Sequence, residues 1–200
     1  MHPARPFHVA DQAILLEQFT RRPFAVMAAA PQGVLRIAQT PVVIRHTEAG
    51  LALDFHLSRG NALTPALAAG FRGVMVSLGP DAYVSPDWYA EPGQVPTWNY
   101  LSVEAEGPVA ELDDGDLVGL LDDLSAQEEA RLSPKPAWTR GKMAPGQFDI
   151  MRRGIVGARM TVERLEGTWK LSQNKTAADV AGVAAALGEH PIAGLMRGAR

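Results

Sequence analysis

The chain has 200 residues, 46% of them hydrophobic and 20% charged, with a formal net charge of −3 and no cysteine. This composition fits a soluble globule with enough apolar residues for a core, and the negative balance argues against a nucleic-acid binder, which presents an excess of Lys and Arg. Without cysteine there are no disulfides, thiolate metal sites or cysteine nucleophiles, which suits a reducing cytoplasm.

The N-terminus, Met1-His2-Pro3-Ala4-Arg5-Pro6, has no apolar core of the signal-peptide kind, and no apolar run approaches the roughly 20 residues of a membrane span. A soluble, cytoplasmic protein without membrane contact is expected. Asp11 suits the N-cap of a first helix whose apolar face is Ile14, Leu15 and Phe19, and Arg22-Pro23 ends it. Residues 24–30 read as a buried strand, 31–33 as a turn, and 34–39 as a second strand. Pro41 is expected to interrupt before Val42-Val43-Ile44, and residues 51–57 alternate as a further strand. Residues 61–69 form a short helix with Pro65 early, where proline is tolerated.

A strand over residues 74–78 is expected to stop at Gly79-Pro80, followed by a loop over 81–96. Residues 100–112 form a long strand with a break expected at Gly107-Pro108. Asp113-Asp114 can cap a helix carrying Leu117, Leu120, Leu121 and Leu124 at helical spacing. Residues 133–146 are a connector, 148–153 a short helical stretch, and 155–164 the last strand. Thr176, with Asp179 three residues on, opens an Ala-rich helix. The sum is an α+β fold: a mainly antiparallel barrel with peripheral helices, one domain over residues 1–190 and a loose tail over 191–200.

The catalytic patterns fail. The sequence has no Gly-x-Ser-x-Gly, no Walker phosphate loop and no His-Glu-x-x-His, and the five histidines lack metal-ligand spacing. Two aromatic-amide segments stand out instead. In Pro96-Thr97-Trp98-Asn99-Tyr100, period two sends Trp98 and Tyr100 to one face and Asn99 to the other. That pattern suits the wall of a flat ligand, or equally a core pair with Asn99 bonded to a loop. Trp169-Lys170-Leu171-Ser172-Gln173-Asn174-Lys175 leads into a helix N-terminus, a natural anion site or an ordinary polar connector. A third group, His56, Arg59 and Asn61, gathers at the end of a strand, with Arg59 suited to phosphate by its forked donors.

These segments, taken in order, resemble the PaiB-type family of FMN-binding negative transcriptional regulators. The likeness runs from Met1, Pro3 and Phe7 through His56-x-x-Arg59-x-Asn61, Gly79-Pro80-Asp81-Ala82-Tyr83-Val84-Ser85-Pro86 and Trp88-Tyr89. It continues through residues 95–100, Glu129, Pro136-x-Trp138 and Arg153-Gly154-Ile155-Val156-Gly157, and closes on residues 163–167 and 170–174. The resemblance implies an FMN-binding split β-barrel of the pyridoxamine-phosphate oxidase-like kind, homodimeric, with flavin at the subunit interface. It places His56, Arg59 and Asn61 near the phosphate or ribityl end. Trp98, Asn99 and Tyr100 would wall the ring or the dimer seam, and Lys170, Ser172, Gln173 and Asn174 would bond the ring edge or phosphate.

The chain departs from the family pattern in three places. A hydroxyl-rich strand is Ala25-Val26-Met27-Ala28-Ala29-Ala30, a His-Leu-Pro stretch is replaced within Ala38-Gln39-Thr40-Pro41, and Ala62 stands where proline follows the Asn. A negative regulator acting through flavin or metabolite state is the leading reading. An FMN-dependent oxidoreductase, or a split-barrel module that has lost flavin, is the alternative. With no convincing helix-turn-helix and no basic recognition helix, direct DNA binding is doubtful, and an indirect route through a partner or a metabolite is at least as good a reading as direct contact.

Overall fold

The computed structural model describes residues 2–199. Its strands are β1 (His8–Val9), β2 (Phe24–Ala29), β3 (Arg36–Thr47), β4 (Gly50–Ser58), β5 (Phe71–Val84), β6 (Thr97–Glu111), β7 (Ile155–Thr161) and β8 (Arg164–Lys170). The helices are α1 (Gln12–Arg21), α2 (Asp114–Ala130), α3 (Gln147–Arg152), α4 (Ala177–Leu187) and α5 (Pro191–Gly198). The hydrogen-bonded order is β1-β8-β6-β5-β2-β3-β4-β7, and β6 also pairs with β7. That last pairing closes β2 to β7 into a six-stranded antiparallel barrel with two added strands, as the sequence pattern predicts.

The chain divides into two compact units: Phe19–Ser77 with Ala105–Leu165, and the residues up to Gln18 with Leu78–Glu104 and everything from Glu166 on. In the first, the barrel unit, alternate residues turn inward. Met27 of β2 faces Ala38 and Met75, Phe55 of β4 faces Val42 and Ala158, and Leu53 faces Met160. All eight are buried. The opposite parity carries Asp54, 1% exposed, which accepts from Arg45 Nε (3.0 Å) and from Arg159 Nε and Nη2 (2.6 and 2.8 Å). Arg45 also reaches Asp123 (2.5 Å) and Arg159 reaches Asp116 (3.7 Å), both on α2. This network and the packing of Leu117 and Leu120 on Val43 seat α2 against the strands. Asp113 caps α2, accepting from the Asp116 N–H at 2.7 Å.

In the second unit, α4 and α5 pack on the ends of β5 and β6. Val84, Leu101, Leu171, Val180, Val183, Ile192 and Met196 form its core. Thr176 caps α4 through the Asp179 N–H, 3.1 Å. The Asp179 carboxylate turns elsewhere and accepts from the Ala90 and Glu91 N–H groups (2.9 and 3.0 Å).

Five features differ from the sequence expectation. β3 runs unbroken through Pro41, because there the strand changes partners: residues 36–41 pair with β2 and 42–47 with β4. β5 continues through Gly79-Pro80, past its last β2 partner, where a missing N–H costs no ladder bond on that side. β6 does not break at Gly107; a Cβ there would lie 1.8 Å from the Thr161 carbonyl oxygen, so glycine permits the close approach of β7. The segment expected as a loose tail holds α5, whose Ile192, Ala193 and Met196 are buried. Beyond Thr161 the chain also forms β8, separate from β7.

Candidate functional site

The outward parity of the barrel unit's β2 is Phe24, Val26 and Ala28. Register places Pro41, Gln39 and Ile37 of β3 directly across on one side, and Val76 and Val74 of β5 across from Val26 and Ala28 on the other. Paired residues of an antiparallel ladder share a face, so these side chains form one sheet surface. It is apolar except for Gln39, and it is open: Phe24 is 67% exposed and Ile37 58%.

His56 belongs to the outward parity of β4, since Phe55 and Leu57 on either side of it are buried in the barrel. The Thr40 hydroxyl donates to the His56 carbonyl at 2.7 Å, which ties His56 to β3 just beyond the last residue of their ladder. His56 Nδ1 is buried and has no hydrogen-bond partner among the described residues. Burial lowers the His56 pKa from its usual value, so the ring is neutral at pH 7, with one donor and one acceptor nitrogen. A buried ring nitrogen without a partner costs free energy unless something else binds it.

Arg59 is exposed; its Nε donates to the Arg153 carbonyl (2.9 Å) and its Nη2 to the Ile155 carbonyl (3.3 Å). It lines a polar cleft of about 370 Å³ with Arg152, Arg153, Glu111 and Asp114. Asn61 is engaged in a turn, its Oδ1 accepting from the Leu63 N–H at 2.9 Å. Arg36 is exposed and lines a smaller cleft, about 160 Å³, with Gln32, Ala62 and Pro65. Arg36, Gln39, Phe24 and Ile37 were not singled out from the sequence. The signal available was a pair of polar residues inside an apolar strand; outward apolar residues read as core until the register is known.

The other predicted residues lie in the second unit. Asn99 is fully buried, and its amide is spent on Ser172: Nδ2 donates to Ser172 Oγ at 3.0 Å and Ser172 Oγ donates back to Oδ1 at 3.3 Å. Ser172 is itself buried and sits at φ +63°, the left-handed region that a non-glycine residue rarely adopts. Gln173 braces the same turn, accepting from the Leu171 N–H (2.8 Å) and donating to the Trp169 carbonyl (2.5 Å). The Lys170 ammonium bonds the Thr97 hydroxyl, and burial, followed by the charge of Lys175, lowers its pKa. Trp98 is 51% exposed, with its Nε1 on Asp81 (2.7 Å) and its ring edge-on to Tyr83. Tyr100 is half-buried and Asn174 exposed. The alternation of this segment is as predicted, while Asn99, Ser172 and Gln173 have their polar atoms engaged within the chain.

Among the described residues no helix is long and apolar enough to cross a membrane. A family model described as "Putative FMN-binding domain" matches residues 1–164, and the chain belongs to that family. The PaiB-type resemblance read from the motifs is borne out by one full-length relative. Protease synthase and sporulation protein PAI 2 of Bacillus subtilis (strain 168) is 25% identical over 179 residues, spanning 90% of this chain and 85% of that one. Among solved structures, the chain is similar to the FAD and heme binding protein from Mycobacterium smegmatis (TM-score 0.61, 17% identity, 92% of this chain and 81% of that one). It is also similar to the flavocytochrome Anf3 from Azotobacter vinelandii (TM-score 0.57, 16% identity, 84% of this chain and 72% of that one). At these identities the structural likeness is one of fold.

Proposed function

We propose that the chain is a cytoplasmic, homodimeric regulatory protein of the PaiB type that holds FMN on the outer face of the barrel unit. The observation that carries this reading is the neutral, buried His56 ring with its unpartnered Nδ1 on the outward parity of β4, in a barrel unit whose β2–β3 outer face is open, apolar and bears one amide. A flavin ring asks for that combination: apolar faces to be covered and a polar edge to be hydrogen-bonded. Phe24, Val26 and Ile37 would cover the ring and exclude water, and His56 and Gln39 would meet its polar edge. Arg36 or Arg59, with forked donors, would hold the phosphate. FMN, when bound, supplies reversible electron and hydride chemistry, and the chain's residues orient it and tune its surroundings. Asn99, Ser172 and Gln173 are assigned a shaping role within the second unit, since their polar atoms are engaged there.

A face carrying exposed Phe24, Leu35 and Ile37 is also where a second copy of the chain would dock, since single-chain soluble proteins seldom leave such patches bare. Regulation through a partner or metabolite fits the negative net charge better than direct DNA contact does. The test is the visible spectrum of the purified protein, then titration of the stripped protein with FMN. Flavin absorbance and saturable uptake are expected, with His56→Ala weakening uptake by about tenfold. A colourless protein that takes up no added FMN would overturn the reading.

A further inference from the structure

Glu129 and Pro136-x-Trp138 belong to the family likeness but have no part in the flavin face. In the barrel unit they build something else. Glu129 accepts from the Lys135 ammonium and from the Trp138 N–H (2.8 Å), and Lys142 Nζ donates to the Ala137 carbonyl (2.7 Å). These polar clips fix the connector between α2 and α3 at chosen points, rather than packing it flat. The space they hold open is a cleft of about 320 Å³ walled by Leu121, Trp138, Met143, Phe148, Met151 and Ile155. A second cleft, about 400 Å³, shares Asp122, Ser125, Trp138 and Arg140 with it. The cleft is a groove open to solvent on one side, and its volume is in the range of small-ligand sites.

The polar group at its mouth narrows the chemistry. The Arg140 guanidinium lies over the Phe148 ring, 5.2 Å from its centroid, and its Nε pairs with Asp122 at 3.1 Å. Its two Nη groups have no partner among the described residues. Those groups are geometrically suited to a carboxylate presented beside an aromatic ring. Methionine and aromatic walls accept a flat ring without demanding one shape.

We propose that this cleft is a second small-molecule site, separate from the flavin face, for a one- or two-ring aromatic carboxylate. The ring lies among Trp138, Phe148 and the methionines, and the carboxylate meets the free Nη groups of Arg140. Such a site would give a regulatory protein an effector input that does not compete with its cofactor.

The probe is 1-naphthoate, titrated into the full chain by calorimetry, with 1-naphthol as the uncharged comparison. Saturable binding is expected at about 0.1 mM, the reach of a ligand of this size. 1-Naphthol, and the Arg140→Ala variant with 1-naphthoate, should each bind about tenfold more weakly, the weight of one charge-assisted hydrogen bond. Ser125→Trp, which fills the cleft from α2, should abolish binding. A urea melt on each variant establishes that it is folded, and Arg140→Lys, which keeps the charge, should retain part of the affinity. No saturable heat with the wild-type chain, or unchanged affinity in both folded variants, overturns the proposal. So does competition between 1-naphthoate and FMN, which would place the acid on the flavin face.

Discussion

Truncating Asn99 separates a shaping role from a ligand-contacting one. In Asn99→Ala the amide's paired bonds to Ser172 at 3.0 and 3.3 Å disappear, together with its contact to Met196 Sδ at 3.4 Å. The lost hydrogen bonding is worth about 1 kcal/mol net, and the buried Ser172 hydroxyl, left with only the Tyr89 hydroxyl beside it, costs about 1–3 kcal/mol more. The total is about 2–4 kcal/mol, before the small cavity that the truncation leaves. Ser172→Ala should cost a similar amount from the other side, by stranding the Asn99 amide. Ser172→Gly should cost about 1 kcal/mol less than Ser172→Ala, because glycine occupies the positive φ without strain. In the double variant Asn99→Leu with Ser172→Ala neither member of the Asn99–Ser172 pair strands the other, so its loss should fall short of the summed single losses by about 1–2 kcal/mol. Urea unfolding followed by circular dichroism reads these as midpoint shifts of about 1–2 M, with FMN uptake measured on the folded variants. Wild-type midpoints combined with abolished FMN uptake would refute the reasoning, because the side chains would then be serving the ligand and not the unit.

Asp54→Asn leaves Arg45 and Arg159 facing a neutral amide in the network beneath α2. Both arginines are partly exposed and keep secondary partners on α2, so the loss should lie near 2–3 kcal/mol, the lower end for a broken buried pair, and thermal melts should show it. Gly107→Ala forces a methyl onto the Thr161 carbonyl in a paired strand that cannot retreat; destabilisation of about 3 kcal/mol is expected by urea titration, and a wild-type midpoint would contradict the contact. His56 is held neutral by burial, so the unfolded chain takes up its proton first as pH falls. Its contribution to stability is therefore complete above the ordinary histidine value of about 6.5 and is lost as pH falls through the lower folded value. Unfolding free energies measured from pH 7.5 to 5 should show that loss, and His56→Gln should flatten it.

What the sequence determined was the local chemistry. Asp113 and Thr176 announced the starts of α2 and α4 because a cap is a short-range bond between a side chain and the next turn's N–H groups. The alternation of Trp98, Asn99 and Tyr100 likewise follows from strand geometry alone, and the family likeness supplied the barrel. Tertiary structure decided the rest. Gly79 reads as the end of a strand, yet it sits within β5 at a close approach, where a Cβ would lie 2.6 Å from Leu101 Cβ. Pro41 reads as an interruption and marks a change of partner strand. Asn99 and Ser172 read as ligand contacts and found each other across 73 positions of sequence. Phe24 reads as part of a buried strand, and the register turned it outward. In each case the residue type set what bonds were possible, and a neighbour distant in the chain set which one was made.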